Sequence, residues 1–303
     1  MKSLLLGAAN AVRDAVAATT VPHRGVNLHH DSPGGDAQFD IDEVAERTVW
    51  EYITANTDVA LAIYTEDETT RVTGADPQHL LIIDPIDGTR PAAAGLESSM
   101  VSIAVAPFRP DSTIGDITAA VLLELRTGKW LYTDDTVEGI ESRGYTQPVP
   151  SLTDIDSLER MFWSIEFNGH PMGLMANAYS HIVDASANTG GVFVFNSSTY
   201  SISRLITGQL DAYVDIGNRV LRDHPDTRDA FLRSGRGNIL HLFPYDIAAA
   251  VTIATKAGAI VTDAYGQSFS DVHLTDLSDT NQRSCVAASN PALHDLLLAK
   301  INW

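Results

Sequence analysis

The sequence has little cysteine and no long apolar run. Cys285 is the only cysteine among 303 residues. No disulfide can therefore form within the chain, and a reducing compartment, the cytoplasm, is expected. We expect Cys285 to be a buried and unreactive thiol, because no neighbour in the sequence would lower its pKa. No apolar stretch approaches the roughly 20 residues of a membrane span, so a membrane partner is not expected.

Basic residues are also scarce. The chain holds 20 Lys and Arg against 39 Asp and Glu, which gives a formal net charge of −19. An acidic chain without basic clusters is a poor binder of nucleic-acid backbones. The expected partner is therefore a small molecule, and an anionic one would need a local positive charge such as a bound cation.

The chain has enough apolar material for a large core. A hydrophobic fraction of 44% in 303 residues is typical of one large α/β domain or of two packed halves. The start of the chain has helical periodicity interrupted by Asn10, Arg13 and Asp14, which favours an amphipathic helix over a signal peptide. The next segment, HRGVNLHHDSPGGDAQF, is interpreted as a loop, and Asp40 with Glu43 as the capping box of a second helix.

The order of the remaining elements separates two halves. SSMVSIAVAPF, DITAAVLLELR and GKWLYTDD predict successive strands of an antiparallel sheet. A polar, turn-rich stretch near residues 135–158 then marks the predicted boundary between residues 1–150 and 151–303. The second half predicts strands and helices, among them a helix that begins at PYDIAAA.

Carboxylates follow several of the predicted buried elements. Glu66 follows one strand, Asp84 and Asp87 end the strand LLIIDPID, and Asp246 begins a helix. Each alone is compatible with ordinary turn chemistry. If the ends converge, the carboxylates repel one another, and a hard cation such as Mg²⁺ would stabilise the cluster.

The residues after Asp87 add a second feature. Gly88 and Thr89 offer backbone N–H groups to an anion, and the spacing from Asp84 to Asp87 lets the Ile86 carbonyl face the same point. A metal–carboxylate cluster beside an anion site is the arrangement of a phosphate-ester hydrolase.

These motifs resemble a known group of enzymes. TED, DPIDGT and YDIAAAVTIATKAGAIVTDAYG occur in the same order as motifs of the inositol monophosphatase and fructose-1,6-bisphosphatase superfamily. DIDEVAE, SSTYSISRLITGQLDAY and VAASNPALHDLLL extend the resemblance over residues 1–303. The resemblance implies an α/β (α+β) fold, a layered αβαβα sandwich. Its N-terminal half holds an antiparallel-rich sheet and its C-terminal half a second, mixed sheet.

The resemblance also implies roles for individual residues. It implies metal ligands, a pair that orients and deprotonates the attacking water, and residues that bind the substrate. The metal ligands are Glu66, Asp84, the Ile86 carbonyl, Asp87 and Asp246; the catalytic residues are Asp42, Thr89 and Glu66; the substrate-binding residues are Gly88, Thr89, Arg90, Asn196 and Ser197. Asp67 takes a supporting position beside Glu66.

The implied reaction is Mg²⁺-dependent hydrolysis of a small-molecule phosphate monoester of the sugar, inositol or bisphosphate type, by in-line attack of a metal-activated water. Two or three Mg²⁺ ions are implied, Mn²⁺ is a possible replacement, and Li⁺ is implied as an inhibitor. The resemblance further implies a homodimer or tetramer.

The sequence departs from the family pattern on the substrate side. Arg90 and Pro91 replace the usual residues after DGT, and Tyr245 replaces a Trp. The stretch GNILHLFPYD before Asp246 offers no substrate-binding Glu. The catalytic chemistry is therefore better supported than inositol as the substrate. Five arginines between residues 214 and 243 form either solvated ion pairs or a site for a second anionic group; the latter, like Arg90, would favour a bisphosphate or nucleotide-type substrate.

Two alternatives stay open. A haloacid-dehalogenase-type phosphatase needs Asp-x-Asp, whereas this chain has two residues between Asp84 and Asp87. A catalytically inactive relative that binds a ligand or partner is the other alternative, although all the implied metal carboxylates are present.

Overall fold

The computed structural model of the protein describes residues 1–19, 26–66 and 70–302. Within these ranges the chain forms helices and strands that alternate irregularly along the sequence. The helices are α1 Lys2–Ala18, α2 Asp40–Ala55, α3 Thr89–Ala94, α4 Met172–Ser186, α5 Ser198–Ile206, α6 Gly217–Asp223, α7 Arg228–Ser234, α8 Pro244–Lys256 and α9 Pro291–Lys300. The strands are β1 Val26–Asp31, β2 Ala37–Phe39, β3 Leu61–Thr65, β4 Arg71–Val72, β5 His79–Asp87, β6 Met100–Pro107, β7 Ala119–Glu124, β8 Trp130–Asp134, β9 Glu141–Arg143, β10 Phe162–Ile165, β11 Gly191–Phe193, β12 Ala212–Asp215, β13 Ile260–Thr262 and β14 Cys285–Ala288.

The strands form two large sheets and one hairpin. The first sheet has the order β4-β3-β5-β6-β7-β8-β9, and all its pairs are antiparallel except β3 with β5. The second sheet has the order β11-β10-β12-β14-β13, with parallel pairs on one side and antiparallel pairs on the other. The antiparallel-rich first sheet and the mixed second sheet confirm the predicted fold.

Three apolar cores separate five layers. Helices α1 and α2 pack on the outer face of the first sheet. Helices α5 and α8 fill the space between the two sheets. Helices α4, α6, α7 and α9 cover the outer face of the second sheet. Both faces of the central strands are therefore buried, which explains the nearly continuous apolar runs of β6, β7 and β14.

A β-bulge in β5 decides where the two predicted acids point. Asp84 pairs with Ser102 and Asp87 pairs with Met100, so three steps along β5 match two steps along β6. In a regular strand, residues three apart would face opposite sides of the sheet. The extra residue restores the alternation, and both carboxylates lie on the face that meets α5 and α8.

Two local predictions are wrong. The segment interpreted as a loop forms the β1–β2 hairpin over residues 26–39. Helix α2 begins at Asp40 itself, and the Asp42 carboxylate, not that of Glu43, accepts a hydrogen bond from the Phe39 N–H at 2.8 Å. The arginine-bearing connection after β12, for which no structure was predicted above, contains α6, a 3₁₀ turn and α7. The predicted boundary between residues 1–150 and 151–303 stays a prediction.

The predicted burial of Cys285 is observed. Cys285 lies in β14 with no exposed surface, and burial raises the pKa of its thiol well above the usual range, with Asp215 and Asp263 adding to the rise. Among the described helices, none combines the length and the apolar character needed to cross a membrane.

Candidate active site

The predicted carboxylates converge on one pocket between the two sheets. Asp84 and Asp87 enter it from the bulge of β5, Asp246 from the first turn of α8, and Glu66 from the residue after β3. The pocket encloses about 650 Å³, including its open mouth. The first sheet and the central helices therefore bring together acids that lie up to 180 residues apart, from Glu66 to Asp246.

Burial and mutual repulsion disfavour the charged forms of these acids. Burial raises the pKa of Asp84 well above its usual value, and the charges of Asp87, Asp246 and Asp42 raise it further. Burial likewise raises the pKa of Asp246 well above its usual value, with the charge of Asp87 adding to the rise. The acids therefore need a source of positive charge to be ionised together.

The donor set fits hard divalent cations. One oxygen of Asp84 accepts the Ile86 N–H at 2.9 Å, and one oxygen of Asp246 accepts the Phe243 N–H at 2.8 Å. In the described part of the chain, no hydrogen bond reaches the second oxygen of either carboxylate. All the predicted metal-ligand atoms are oxygens, which suits Mg²⁺ or Mn²⁺. Within the same residues, no three His, Cys, Asp or Glu side chains are already spaced as a metal site.

Asp87 is held by the N-terminus of α5. Its Oδ2 accepts hydrogen bonds from the Ser197 hydroxyl at 2.6 Å, the Thr199 N–H at 2.6 Å and the Thr199 hydroxyl. Burial raises the pKa of Asp87, and these bonds from Ser197 and Thr199 oppose the rise. Asp87 is therefore fixed in orientation. The predicted substrate residue Ser197 lines the pocket, but its hydroxyl is committed to Asp87.

The two residues assigned to the attacking water are in contact. The Thr89 hydroxyl lies 2.9 Å from Asp42 Oδ1 and 3.1 Å from the Ile86 carbonyl oxygen. Asp42 is held in place because its other oxygen accepts the Phe39 N–H. When Thr89 donates to Asp42, its lone pairs can accept a hydrogen bond from a water molecule in the pocket.

Gly88 is required by the turn between β5 and α3. Its φ is +89°, and a Cβ there would lie 2.8 Å from the Ser98 carbonyl oxygen and 2.9 Å from the Ser197 Cβ. Only glycine tolerates this conformation and this approach without strain. The turn presents Gly88 and Thr89 to the pocket, where the sequence predicted the phosphate to bind.

Arg90 also lines the pocket, but it is paired. Its guanidinium donates to Asp36 at 2.8 and 3.3 Å, and the Asn168 side chain donates to the same carboxylate at 3.2 Å. Asp36, Glu66 and Glu166 raise the pKa of Arg90, against the effect of burial. The positive charge of Arg90 is therefore largely balanced by the Asp36 carboxylate.

Three arginines of the long connection are bound to other parts of the protein. Arg219 donates to the Ala264 carbonyl at 2.8 Å, and Arg222 donates to the carbonyls of Thr280 and Gln282. Arg228 pairs with Asp279 at 2.9 Å. None of the three lies among the described residues that line the pocket. These contacts favour the ion-pair and structural interpretation of the segment.

Five ionisable lining residues were missed by the sequence analysis: Asp36, Glu166, His170, Asp215 and His241. Burial raises the pKa of Asp215 to about 7, and burial raises that of Glu166 to about 6, although the Phe167 and Asn168 N–H groups oppose the latter shift. Asp215 ends β12 and Glu166 directly follows β10. The signal that identified Asp84, an acid at the end of an apolar strand, would have found both.

Asn196 and Asp67 complete the predicted set. Asn196 has φ +53° and lines the pocket, where its side chain donates to Glu166 Oε1 at 3.3 Å. Asp67 lies outside the described residues.

Comparison with known families shows the class of protein to which this fold belongs. The model of the inositol monophosphatase family matches residues 2–302. The chain therefore belongs to this family of phosphatases. No curated protein matches the sequence significantly.

Solved structures share the fold at low sequence identity. The extragenic suppressor protein SuhB of Bartonella henselae is 17% identical, with a TM-score of 0.70 over 99% of this chain and 98% of its own. An IMPase of Thermotoga maritima is 18% identical, with a TM-score of 0.69 over 100% and 97%. A Pyrococcus horikoshii protein described as similar to inositol-1 monophosphatase is 21% identical, with a TM-score of 0.64 over 100% and 96%.

Proposed function

We propose that this protein is a Mg²⁺-dependent phosphatase that hydrolyses a small-molecule phosphate monoester of the sugar or inositol type. The observation that carries the proposal is the bulge in β5. It places Asp84 and Asp87 on one face, towards Asp246, and leaves Gly88 and Thr89 at the same pocket. The pocket thus offers carboxylates that can hold cations, and backbone N–H groups that can bind a phosphate.

Each group of residues has a distinct task. Glu66, Asp84, Asp87, Asp246 and the Ile86 carbonyl would hold the ions. Bound Mg²⁺ supplies positive charge to the phosphate oxygens and makes a nearby water more acidic. Mn²⁺ would replace Mg²⁺, and Li⁺ would inhibit.

The chain's own residues position the reactants and move the proton. Thr89 Oγ1 accepts the proton of the attacking water as its own hydroxyl proton passes to Asp42 Oδ1. The backbone N–H groups of Gly88 and Thr89 hold the phosphate. No side chain takes up the phosphoryl group, which distinguishes this reaction from the haloacid-dehalogenase type.

A phosphate-release screen tests the proposal. The panel holds inositol phosphates, sugar monophosphates, fructose 1,6-bisphosphate, adenosine bisphosphates and NADP, each with Mg²⁺ and with a chelator. We expect Mg²⁺-dependent release from at least one monoester and no trapped aspartyl phosphate. Mg²⁺ binding without release from any compound would instead support the inactive ligand-binding relative.

We also propose a homodimer or tetramer in the cytoplasm. Phe162 and Phe193 stack at 6.4 Å on the β10–β11 edge of the second sheet and are 46% and 38% exposed. An exposed aromatic sheet edge is a typical contact between subunits. Light scattering during size-exclusion chromatography would test the oligomeric state, and a monomer would contradict it. The location of a fluorescent fusion would test the compartment, and a secreted product would contradict it.

A further inference from the structure

A second cleft lies next to the catalytic pocket, in the arginine-bearing connection. It is formed by α6, the 3₁₀ turn, α7 and the segment before β14, and it encloses about 740 Å³ including its open mouth. Leu221, Pro225 and Ile239 give it an apolar wall. Among the described residues, only His241 lines both this cleft and the catalytic pocket. The two spaces are therefore separate but adjacent.

Asn218 lines the cleft and is buried without a hydrogen-bond partner. The residue is 4% exposed, and within the described part of the chain its side-chain amide makes no hydrogen bond. Its amide atoms are not occluded, in contrast to His241 Nε2, which has neither a partner nor exposed surface. The amide thus keeps its donors and its acceptor for a molecule in the cleft. Because unpaired buried polar groups are costly, a ligand that bonds to this amide is favoured.

Two arginines give the mouth of the cleft a positive charge. Arg222 donates to the carbonyls of Thr280 and Gln282 through Nη2, and in the described part of the chain its Nε and Nη1 make no hydrogen bond. The Arg228 side chain is 52% exposed and pairs with Asp279. Two guanidinium groups therefore face one carboxylate. The excess positive charge suits one anionic group, and phosphate is the anion whose geometry a guanidinium matches best.

The other acids of this segment do not offset that charge inside the cleft. Asp223 accepts a hydrogen bond from the Tyr265 hydroxyl at 2.6 Å and lies 3.6 Å from Arg219. Asp226 and Asp229 are exposed. None of these three acids is among the described residues that line the cleft.

The three features of the cleft together specify a kind of ligand. The apolar wall favours a planar apolar body. The Asn218 amide presents a donor beside an acceptor, which matches the edge of a purine base. The two guanidinium groups favour a phosphate. A purine nucleoside monophosphate carries all three counterparts in one molecule.

Two short connections link the cleft to the catalytic pocket. The residue before Asn218 donates its N–H to Asp215 Oδ1 at 3.1 Å. Burial lowers the pKa of His241 well below its usual value, and the charges of His170 and Arg222 lower it further, so Arg222 acts on the ring of His241. Asp215 and His241 both line the catalytic pocket. A ligand that moves Asn218 or neutralises Arg222 therefore affects two residues of that pocket.

We propose that this cleft is a second ligand site, which binds a purine nucleoside monophosphate and regulates the catalytic pocket. Asn218 bonds to the base, and Arg222 and Arg228 bond to the phosphate. The binding goes beyond the proposed function and does not depend on it. The regulation rests on the proposed function.

Calorimetric titration of the protein with AMP tests the binding. A chelator is present, because the catalytic acids without ions repel an anion. We expect one site that binds AMP at least about tenfold more tightly than adenosine or inorganic phosphate. The affinity for AMP should fall about tenfold or more in Asn218→Leu and in Arg228→Gln. Arg233→Gln, which changes an exposed residue of α7 outside the cleft, is the control and should have no effect.

The Asn218→Leu variant should fold normally. The amide has no hydrogen bond within the described residues to lose, so an apolar side chain of similar size should leave the melting temperature unchanged or raise it. A weaker affinity in this variant therefore reports on the ligand. No AMP binding in the wild type, or the same affinity in the wild type, Asn218→Leu and Arg228→Gln, would overturn the inference.

Phosphate release from the best ester of the panel, with Mg²⁺, tests the regulation. We expect saturating AMP to change kcat/KM at least about fivefold in the wild type and not in Asn218→Leu. No change in the wild type, or an equal change in both proteins, would overturn the regulation and leave the binding. If no ester releases phosphate, the proposed function and the regulation fail together, and the calorimetric titration alone decides the binding.

Discussion

Asp87 has a more constrained carboxylate than its neighbours in the pocket. One of its oxygens accepts three hydrogen bonds from Ser197 and Thr199, which belong to the N-terminus of α5. Two elements from different halves of the chain, β5 and α5, thereby orient the other oxygen of Asp87. A carboxylate fixed in this way needs little rearrangement to bind an ion.

Removal of the Asp87 charge should abolish turnover. Asn has nearly the same shape as Asp, so Asp87→Asn should fold normally but lose at least about 1,000-fold in kcat, because charge stabilisation is the main contribution to such catalysis. Steady-state phosphate release and circular dichroism measure the two properties. Asp226→Asn, at an exposed 3₁₀ turn, is the control, and an active Asp87→Asn enzyme would contradict the assignment.

Thr199 should act as a positioning residue for Asp87. Thr199→Val loses the hydroxyl bond and keeps the side-chain shape, so we expect Mg²⁺ affinity and kcat/KM to fall about 10- to 100-fold. Thr199→Ser should restore most of both values. Calorimetric Mg²⁺ titration without substrate provides the second measurement. Unchanged Mg²⁺ affinity in Thr199→Val would mean that the hydroxyl serves stability alone.

At the residue scale the sequence indicated the carboxylates of DPIDGT and missed the opposite wall of the pocket. DPIDGT is a contiguous motif, and its residues reach the pocket together. Glu166 and His170 follow β10 and Asp215 ends β12, so the parallel pairing of these two strands brings the three residues together. Such pairing between distant segments is not visible in a local pattern.

Among the elements, α5 connects the two halves of the site. Its N-terminus holds Asp87, and its last turn carries Arg204, which is 5% exposed and lies 2.5 Å from Glu124 of β7. Tyr145 also donates to Glu124, at 3.1 Å. A buried pair of this kind fixes the helix against the first sheet.

Breaking the pair from one side should destabilise the protein strongly. Arg204→Met leaves the Glu124 carboxylate buried without its cation, which typically costs about 3–5 kcal/mol. Urea denaturation of the variant measures the loss. Arg160→Met removes an exposed pair with Asp156 and should change stability by at most about 1 kcal/mol. A loss of similar size in both variants would contradict this role of Arg204.

Elements with strong periodicity were predicted, and those decided by tertiary contacts were not. The strands β6, β7 and β8 and the helix α8 follow directly from apolar patterns and from Pro244 at the helix start. The β1–β2 hairpin was missed, because its glycine- and proline-rich segment is equally typical of a loop. The bulge of β5 was not predicted either, since it depends on the register with β6.

At the scale of the whole molecule, acidic side chains are concentrated around one pocket. The pKa of Asp215 rises from 3.8 to about 7 and that of Glu166 from 4.5 to about 6, in both cases through burial. The folded protein thus keeps protons that the unfolded chain has already released. Between about pH 4 and 7, stability should therefore fall as pH rises.

The contribution of Asp215 to this pH dependence can be isolated. We expect the melting temperature of metal-free protein to fall between pH 5 and pH 7.5, and to fall less in Asp215→Asn, which stays neutral throughout. Thermal denaturation with a chelator measures both curves. A wild-type melting temperature that rises across this range, or an identical slope in the variant, would contradict the assignment.

The central claim is that the acids of this pocket hold Mg²⁺ for phosphate-ester hydrolysis. Its most direct test is phosphate release as a function of Mg²⁺ concentration, in the wild type and Asp87→Asn, on the best ester of the panel. We predict no release with the chelator, saturable activation by Mg²⁺ in the wild type, and none in the variant. Full activity in the chelator, or Mg²⁺ activation that survives in Asp87→Asn, would contradict the account.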